Sequence, residues 1–459
     1  MSTPVFFVFR GSFMRFQRSG FLLAAISPAL WAQTQELAPA VQGAASISAS
    51  ASISATASAF SGADTAWMLM ATVLVLLMTL PGIMLFYSGL MRSKNALSIF
   101  AQTLMATALI TLLWAVLGYS LAFTPGSPWL GGLSRVFAQG LSGVQAQGHA
   151  MAKTIPEAVF FMFQLAFALV TFALVLGATV ERMRMGVTLI FSALWLFLIY
   201  VPVAHWVWHP QGWLAQQGHM DFAGGTVVHV LAGGSALVAA VMVGPRKGFG
   251  SEAMVPHNLV TTALGACLLW MGWFGFNAGS ALEAGARAGS AMVATHFAAS
   301  AGCFTWGVCE LVFRQKISVL GLCSGAIAGL VAVTPAAGYV DVWGAALMGL
   351  SAGAVCYLAA TQLKALTGID DSLDVFALHG VGGFLGSVLT PLLASAAIAP
   401  VTATVWSNTA GAIAVMAYSG LMTWAILQAI RIFTVLRVNP AQELEGLDLA
   451  QHGEHLSGA

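Results

Sequence analysis

The sequence predicts an all-α polytopic membrane protein: eleven transmembrane helices, arranged as two inverted five-helix repeats plus one extra helix. Three observations carry that prediction. Of 459 residues, 59% are hydrophobic and only 7% charged, against about 25% charged in a soluble globular chain. Apolar runs near the length that crosses the hydrocarbon as a helix alternate with short polar breaks. The basic residues in those breaks follow a sidedness rule. Disorder over most of the length is excluded, because disordered chains are poor in apolar residues. With 17 Lys+Arg against 16 Asp+Glu, the chain has no electrostatic footprint for nucleic acid.

In chain order, Arg10, Arg15 and Arg18 precede an apolar stretch, Gly20 to Trp31, that is too short to span. With Ala32 at the cleavage point, residues 1–32 read as a signal peptide, the alternative being an uncleaved or misassigned start. A Ser/Ala-rich flexible leader of unassigned role follows over 33–65. The membrane domain, 66–433, holds runs at 66–90, 97–123, 156–180, 187–208, 225–244, 258–277, 291–313, 317–335, 340–363, 375–398 and 404–433. With the mature N-terminus outside, the inside breaks hold Arg92, Lys94, Arg182, Arg184, Arg246, Lys247, Arg314, Lys316, Lys364, Arg431 and Arg437. The outside breaks hold only Arg135, Lys153 and Arg287. That is the positive-inside bias, and it puts the tail, 434–459, in the cytoplasm.

Two features recur five spans apart. Leu85-Phe86-Tyr87-Ser88-Gly89 ends the first span and Gly275-Phe276-Asn277-Ala278-Gly279 the sixth. Asp221, His229 and Gly233-Gly234 in the fifth correspond to Asp374, His379 and Gly382-Gly383 in the tenth. Five is odd, so the matching elements run in opposite directions, as in inverted repeats with a substrate path between the halves. The pairs Gly325/Gly329, Gly349/Gly353 and Gly382/Gly386 set small residues on one helix face, where neighbouring helices approach closely. The five cysteines fall inside apolar runs with no CxxC spacing, and read as core fillers.

Ionisable groups within spans are costly and mark function. A lone intramembrane histidine serves packing as readily as a path, but His229 and His379 occupy equivalent places, where two imidazoles can share a proton. His296 has no such counterpart. Phe163 and Phe167 lie one helical turn apart, Trp208 ends the fourth span and Phe276 the sixth. These read either as packing and interfacial aromatics or as a cation-π site for a small cation, with the Ser280 hydroxyl as an added acceptor.

Four stretches carry a resemblance: Pro81-Gly82 through Phe86-Tyr87-Ser88-Gly89-Leu90, Asp221-Phe222-Ala223-Gly224-Gly225-Thr226-Val227-Val228-His229, Gly272-Trp273-Phe274-Gly275-Phe276-Asn277-Ala278-Gly279-Ser280, and Asp374-Val375-Phe376-Ala377-Leu378-His379-Gly380. From about residue 67 to the tail the chain resembles the ammonium transporters of the Amt/Rh family. Trp208 and Ser280 favour the Amt branch. The resemblance implies a homotrimer with one pore per subunit in the inner (plasma) membrane. It implies an outer recruitment site for ammonium at Trp208, Phe163, Phe167 and Ser280, and a gate at Phe167 and Phe276. His229 and His379 become twin pore histidines. Asp221 becomes an acidic residue near the outer site that organises backbone and makes no substrate contact. His209-Pro210-Gln211 departs from the family pattern by lengthening the next loop. The tail from Leu436 to Glu454 resembles the family's regulatory tail, with a PII-type signalling protein as a partner at that face.

The expected function is recruitment of ammonium, its deprotonation, and conduction of ammonia with net charge movement. The alternatives are an electroneutral ammonia channel and an ammonium sensor. An enzyme is not expected: no nucleotide loop, nucleophile–base pair, cofactor motif or metal-ligand cluster occurs.

Overall fold

Apolar runs that must satisfy their own backbone polar groups in lipid have one local solution, the helix, and helices dominate the computed structural model. It describes residues 60–141 and 148–456; the expected signal peptide and most of the leader lie outside them. The long helical segments are α1 (Gly62–Leu90), α2 (Ser93–Phe123), α3 (Glu157–Leu176), α4 (185–208), α5 (Gly225–Val243), α6 (Leu259–Gly279), α7 (Ala286–Arg314), α8 (Val319–Val333), α9 (Val342–Thr367), α10 (Phe376–Leu393) and α11 (Val405–Phe433). Among the described residues, nine segments are long and apolar enough to cross a membrane. The other two expected runs are also helical: α8 is apolar but only 15 residues long, and α7, with 29 residues, carries Arg287, His296 and Glu310.

Boundaries differ from the apolar runs where caps decide them. α1 begins at Gly62, inside the expected leader, because the Ser61 hydroxyl accepts the Asp64 N–H at 3.1 Å and satisfies an orphan donor. Ser318 starts α8 in the same way, its hydroxyl accepting the Gly321 N–H at 2.9 Å. The Glu310 carboxylate accepts the Ser318 N–H at 2.7 Å. α3 gives way to turns after Leu176, and α10 ends at Leu393, with Ala394 extended.

Close helix contact depends on glycine. On α8, a Cβ at Gly325 or Gly329 would strike the backbone of α7 at Gly302 or Ala298, and on α9 Gly349 and Gly353 meet the same two residues. The expected small-residue faces therefore draw α7, α8 and α9 together. The cysteine reading is corrected in part: Cys356 is buried, Cys309 and Cys323 are half-buried against the core, Cys303 is half-buried, and Cys267 is exposed.

The basic breaks assigned to one side do meet there. Arg92 pairs with Glu181 at 2.7 Å, and Arg246 reaches Glu181 at 3.5 Å and Asp370 at 2.8 Å. The fully buried Arg182 donates to the Asp370 carbonyl at 2.6 Å. The tail folds onto this end as α12 (Pro440–Glu445) and α13 (Leu447–His452). Arg437 pairs with Glu443 at 2.6 Å, and the Asp448 carboxylate accepts the Leu97 and Ser98 N–H groups at 3.0 and 2.7 Å. An acid from the far end of the chain thus caps the first turns of α2.

Candidate functional site

α5 and α10 each start on a π-helical turn, Gly225–Val230 and Phe376–Gly380, and these turns carry His229 and His379. Such turns cluster at functional positions. The helices cross at glycines placed symmetrically: a Cβ on Gly233, four residues after His229, would strike Gly380. One on Gly383, four residues after His379, would lie 2.8 Å from the His229 Cβ. The crossing brings the two imidazoles to 5.2 Å between ring centres, with Nδ1 to Nδ1 at 3.2 Å. At that distance one Nδ1 carries the proton and the other the lone pair. His229 Nε2 has no partner in the protein. It faces a cavity of ≈ 10 Å³ walled by Phe276, Trp273, Leu269 and Ile327, at the lower limit for one water.

The repeat register needs one correction. The sequence pairs Asp374 with Asp221, but the structural counterpart is Asp371. Asp221 accepts the N–H of the residue five positions on, Thr226, at 2.9 Å, and Asp371 does the same for Phe376 at 2.7 Å. Each stands eight residues before its histidine. Asp374 instead pairs with Lys364 at 2.9 Å. Asp221 also accepts from Gly224 and Val227 at 2.9 and 3.0 Å, so its carboxylate organises the turn that begins α5. Gly224 makes this turn with φ of 111°, which favours glycine.

Above the histidines the aromatic residues meet in sequence. Phe276 lies 6.0 Å from His229 and stacks on Phe167 at 4.3 Å and 20°. Phe167 meets Phe163 edge-on at 4.9 Å and Trp208 at 5.7 Å. The Trp208 indole N–H donates to the Asp221 carbonyl at 3.1 Å, which fixes the ring beside a cavity of ≈ 70 Å³. Phe163, Phe167, Trp208 and Ser280 all line that cavity. The Ser280 hydroxyl donates to the Phe276 carbonyl at 2.9 Å, leaving its lone pairs for a donor. Ring faces and a hydroxyl oxygen suit a small cation carrying N–H groups.

Gln164, Phe222, Met151 and Leu282 also line this cavity and were not singled out in the sequence. Gln164 is 7% exposed and its Oε1 has no partner. A single amide in an otherwise apolar α3 core was the available signal. His296 lies apart, against Trp270 at 5.5 Å. In the departing loop, His209 stacks on His205 at 4.5 Å and Gln211 accepts the Gly126 N–H at 2.8 Å.

The sequence profile of the Ammonium Transporter Family matches residues 66–456. The chain belongs to the ammonium transporter family. It is 43% identical over 400 residues to the ammonium transporter of Bacillus subtilis (strain 168), covering 85% of this chain and 97% of the relative. Its fold is similar to the crystal structure of Candida albicans Mep2, with TM-score 0.78, 38% identity, and 84% and 88% of the two chains covered. It is also similar to a solved structure described as a Sensor Amt Protein, with TM-score 0.79, 30% identity, and 85% and 98% covered. Family and fold make it a polytopic membrane transporter; the related proteins are named as transporters, not enzymes.

Proposed function

We propose that this transporter carries ammonium across the membrane by separating the ion from its proton. Ammonium is recruited in the outer cavity by Trp208, Phe163, Phe167 and Ser280. It passes the stacked gate of Phe167 and Phe276 as ammonia, which moves along His229 and His379. The proton follows along the histidine pair or waters beside it, so that charge moves. The observation that carries this reading is the order of the parts: a cavity of ring faces, a 4.3 Å ring stack, then two imidazoles 3.2 Å apart. Potassium resembles ammonium in size and charge, so cation-π attraction cannot reject it. A passage with no compensating charge does, because a bare ion pays heavily to enter it and only ammonium can leave its charge behind.

In this reading all eleven long helices span, the mature N-terminus is outside, and the C-terminus is cytoplasmic. The first 32 residues are a signal peptide, the residues from there to the start of α1 a leader, and the tail from 434 regulatory. The assembly is a homotrimer in the inner (plasma) membrane, and a PII-type protein docks at the cytoplasmic face.

The test is the current evoked by an ammonium jump on reconstituted proteoliposomes, with potassium as control. A saturating current with ammonium and none with potassium is expected. Uptake without current, from protein shown to be folded, would replace this mechanism with electroneutral ammonia conduction. Neither current nor uptake would turn the reading towards a sensor.

A further inference from the structure

A positive charge with no ion-pair partner among the described residues stands against the wall of the outer cavity; the neighbouring Asp221 carboxylate is engaged by three backbone N–H groups. Arg287, in the first turn of α7, holds its guanidinium 4.9 Å from the Phe222 ring centre and 5.0 Å from that of Tyr339. Its Nε donates to the Gly338 carbonyl at 3.2 Å. The two rings meet edge to face at 5.7 Å, and Gly338 is so close to Phe222 that a Cβ there would overlap the ring. The cation is therefore held in place, unlike a solvated side chain free to swing away. Among the described residues no ion pair includes Arg287, whereas Arg135, another basic residue assigned to that side, is neutralised by Glu157 at 2.8 Å. Phe222 itself lines the outer cavity.

We infer that Arg287 is a specificity-determining residue of the outer cavity: a fixed like charge behind Phe222 that weakens the hold on any monovalent cation and favours the substrate form that has lost its proton. The inference rests on reading that cavity as the recruitment site. A ring already carrying a cation on one face attracts a second cation less, and a like charge disfavours the charged form of a titrating group. With Phe222 touching both the cavity and the guanidinium, the repulsion in protein is only partly screened. Ammonium answers it by giving up a proton; potassium is merely repelled.

The test compares Arg287→Gln, Arg287→Lys and Trp208→Leu in proteoliposomes, reading current against ammonium concentration with potassium as competitor. Arg287→Gln should lower the half-saturating ammonium concentration roughly three- to tenfold, strengthen potassium competition by a similar factor, and reduce the maximal current. Arg287→Lys keeps the charge but not the planar stacking on the two rings, and should move half-saturation less than Arg287→Gln does. An arginine that only braced the rings would not make both cations bind more tightly. Should Arg287→Gln not assemble, Ser290→Glu sets a carboxylate one helical turn away and should move half-saturation in the same direction by less. Half-saturation that does not fall in these charge variants, with Trp208→Leu weakening ammonium, would overturn the inference and leave the recruitment site standing. A Trp208→Leu protein indistinguishable from the parent would remove the recruitment site, and this inference with it.

Discussion

Residues 221–233 and 371–383 build the same object in two settings. In each, a buried aspartate accepts the backbone N–H five residues on, a π-helical turn carries a histidine at the eighth position, and a glycine at the twelfth receives the other helix. The settings differ at the carboxylate. Asp221 uses both oxygens on three N–H groups. Asp371 has one oxygen without a partner, beside a cavity of ≈ 20 Å³. Burial pushes both carboxyls up; Asp371, with Asp374 close by as a second cause, is pushed up to about 6. One half is locked by its acid, while the other holds an acid that titrates near neutrality. A repeat can preserve backbone geometry and let the electrostatics of its halves diverge.

The crossing itself should be the most sensitive point. Gly233→Val and Gly383→Val each force a side chain into backbone, where no rotamer relieves the overlap. Both should cost more than the about 3 kcal/mol usual for overpacking and abolish the assembled peak in size-exclusion chromatography. Survival of one and loss of the other would break the symmetry of the crossing.

Asp221→Asn leaves one acceptor oxygen where three N–H groups need two, and should cost about 2–4 kcal/mol. Asp371→Asn keeps an acceptor for Phe376 and removes a charge that burial disfavours, so at neutral pH it should be neutral or slightly stabilising. Thermal unfolding in detergent measures both, and equal losses would erase the distinction drawn between the halves.

The histidines share one contact, so removing either leaves the other's Nδ1 unsatisfied. His379→Ala should reduce selectivity for ammonium over potassium at least about tenfold, equivalent to about 1.4 kcal/mol, and His229→Ala should do so comparably. Unchanged exclusion of potassium in His379→Ala would end the selectivity role of the pair.

A pH dependence sharpens the same comparison. The folded chain holds the Asp371 proton more tightly than the unfolded chain, whose carboxyl ionises near 3.8. Its contribution to stability is therefore fully present below that value and is lost as pH rises through about 6. Subtracting the Asp371→Asn unfolding profile from the parent's should reveal this loss, and a flat difference between pH 4 and 7 would contradict it.

Much of this was legible in the chain. Lipid imposes length and sidedness on every span, so apolar runs and basic breaks located the long helices; motifs pointed to Phe276 and the two histidines, and helical spacing, a span end and the family resemblance to Phe167 and Trp208. The less legible parts are those that the bilayer does not dictate. α7 carries charge and lost its first turn to the preceding break, because Arg287 is sheltered by two rings that only the fold brings near. Asp371 and Asp374 both precede His379 closely, and hydrogen-bond register alone separates them. Gln164, Met151 and Phe222 come to the cavity from three elements whose convergence no spacing records.

The cap that Asp448 supplies to α2 also has a temporal consequence. Donor and acceptor are separated by 351 positions, and a ribosome adds roughly 5–20 residues per second. The start of α2 therefore waits roughly 20–70 s after its own synthesis for the carboxylate that completes it. Throughout that interval the nascent protein has an uncapped helix end, which any chain stopped short of residue 448 would keep for good. One of the first-made helices is thus completed only by residues made much later.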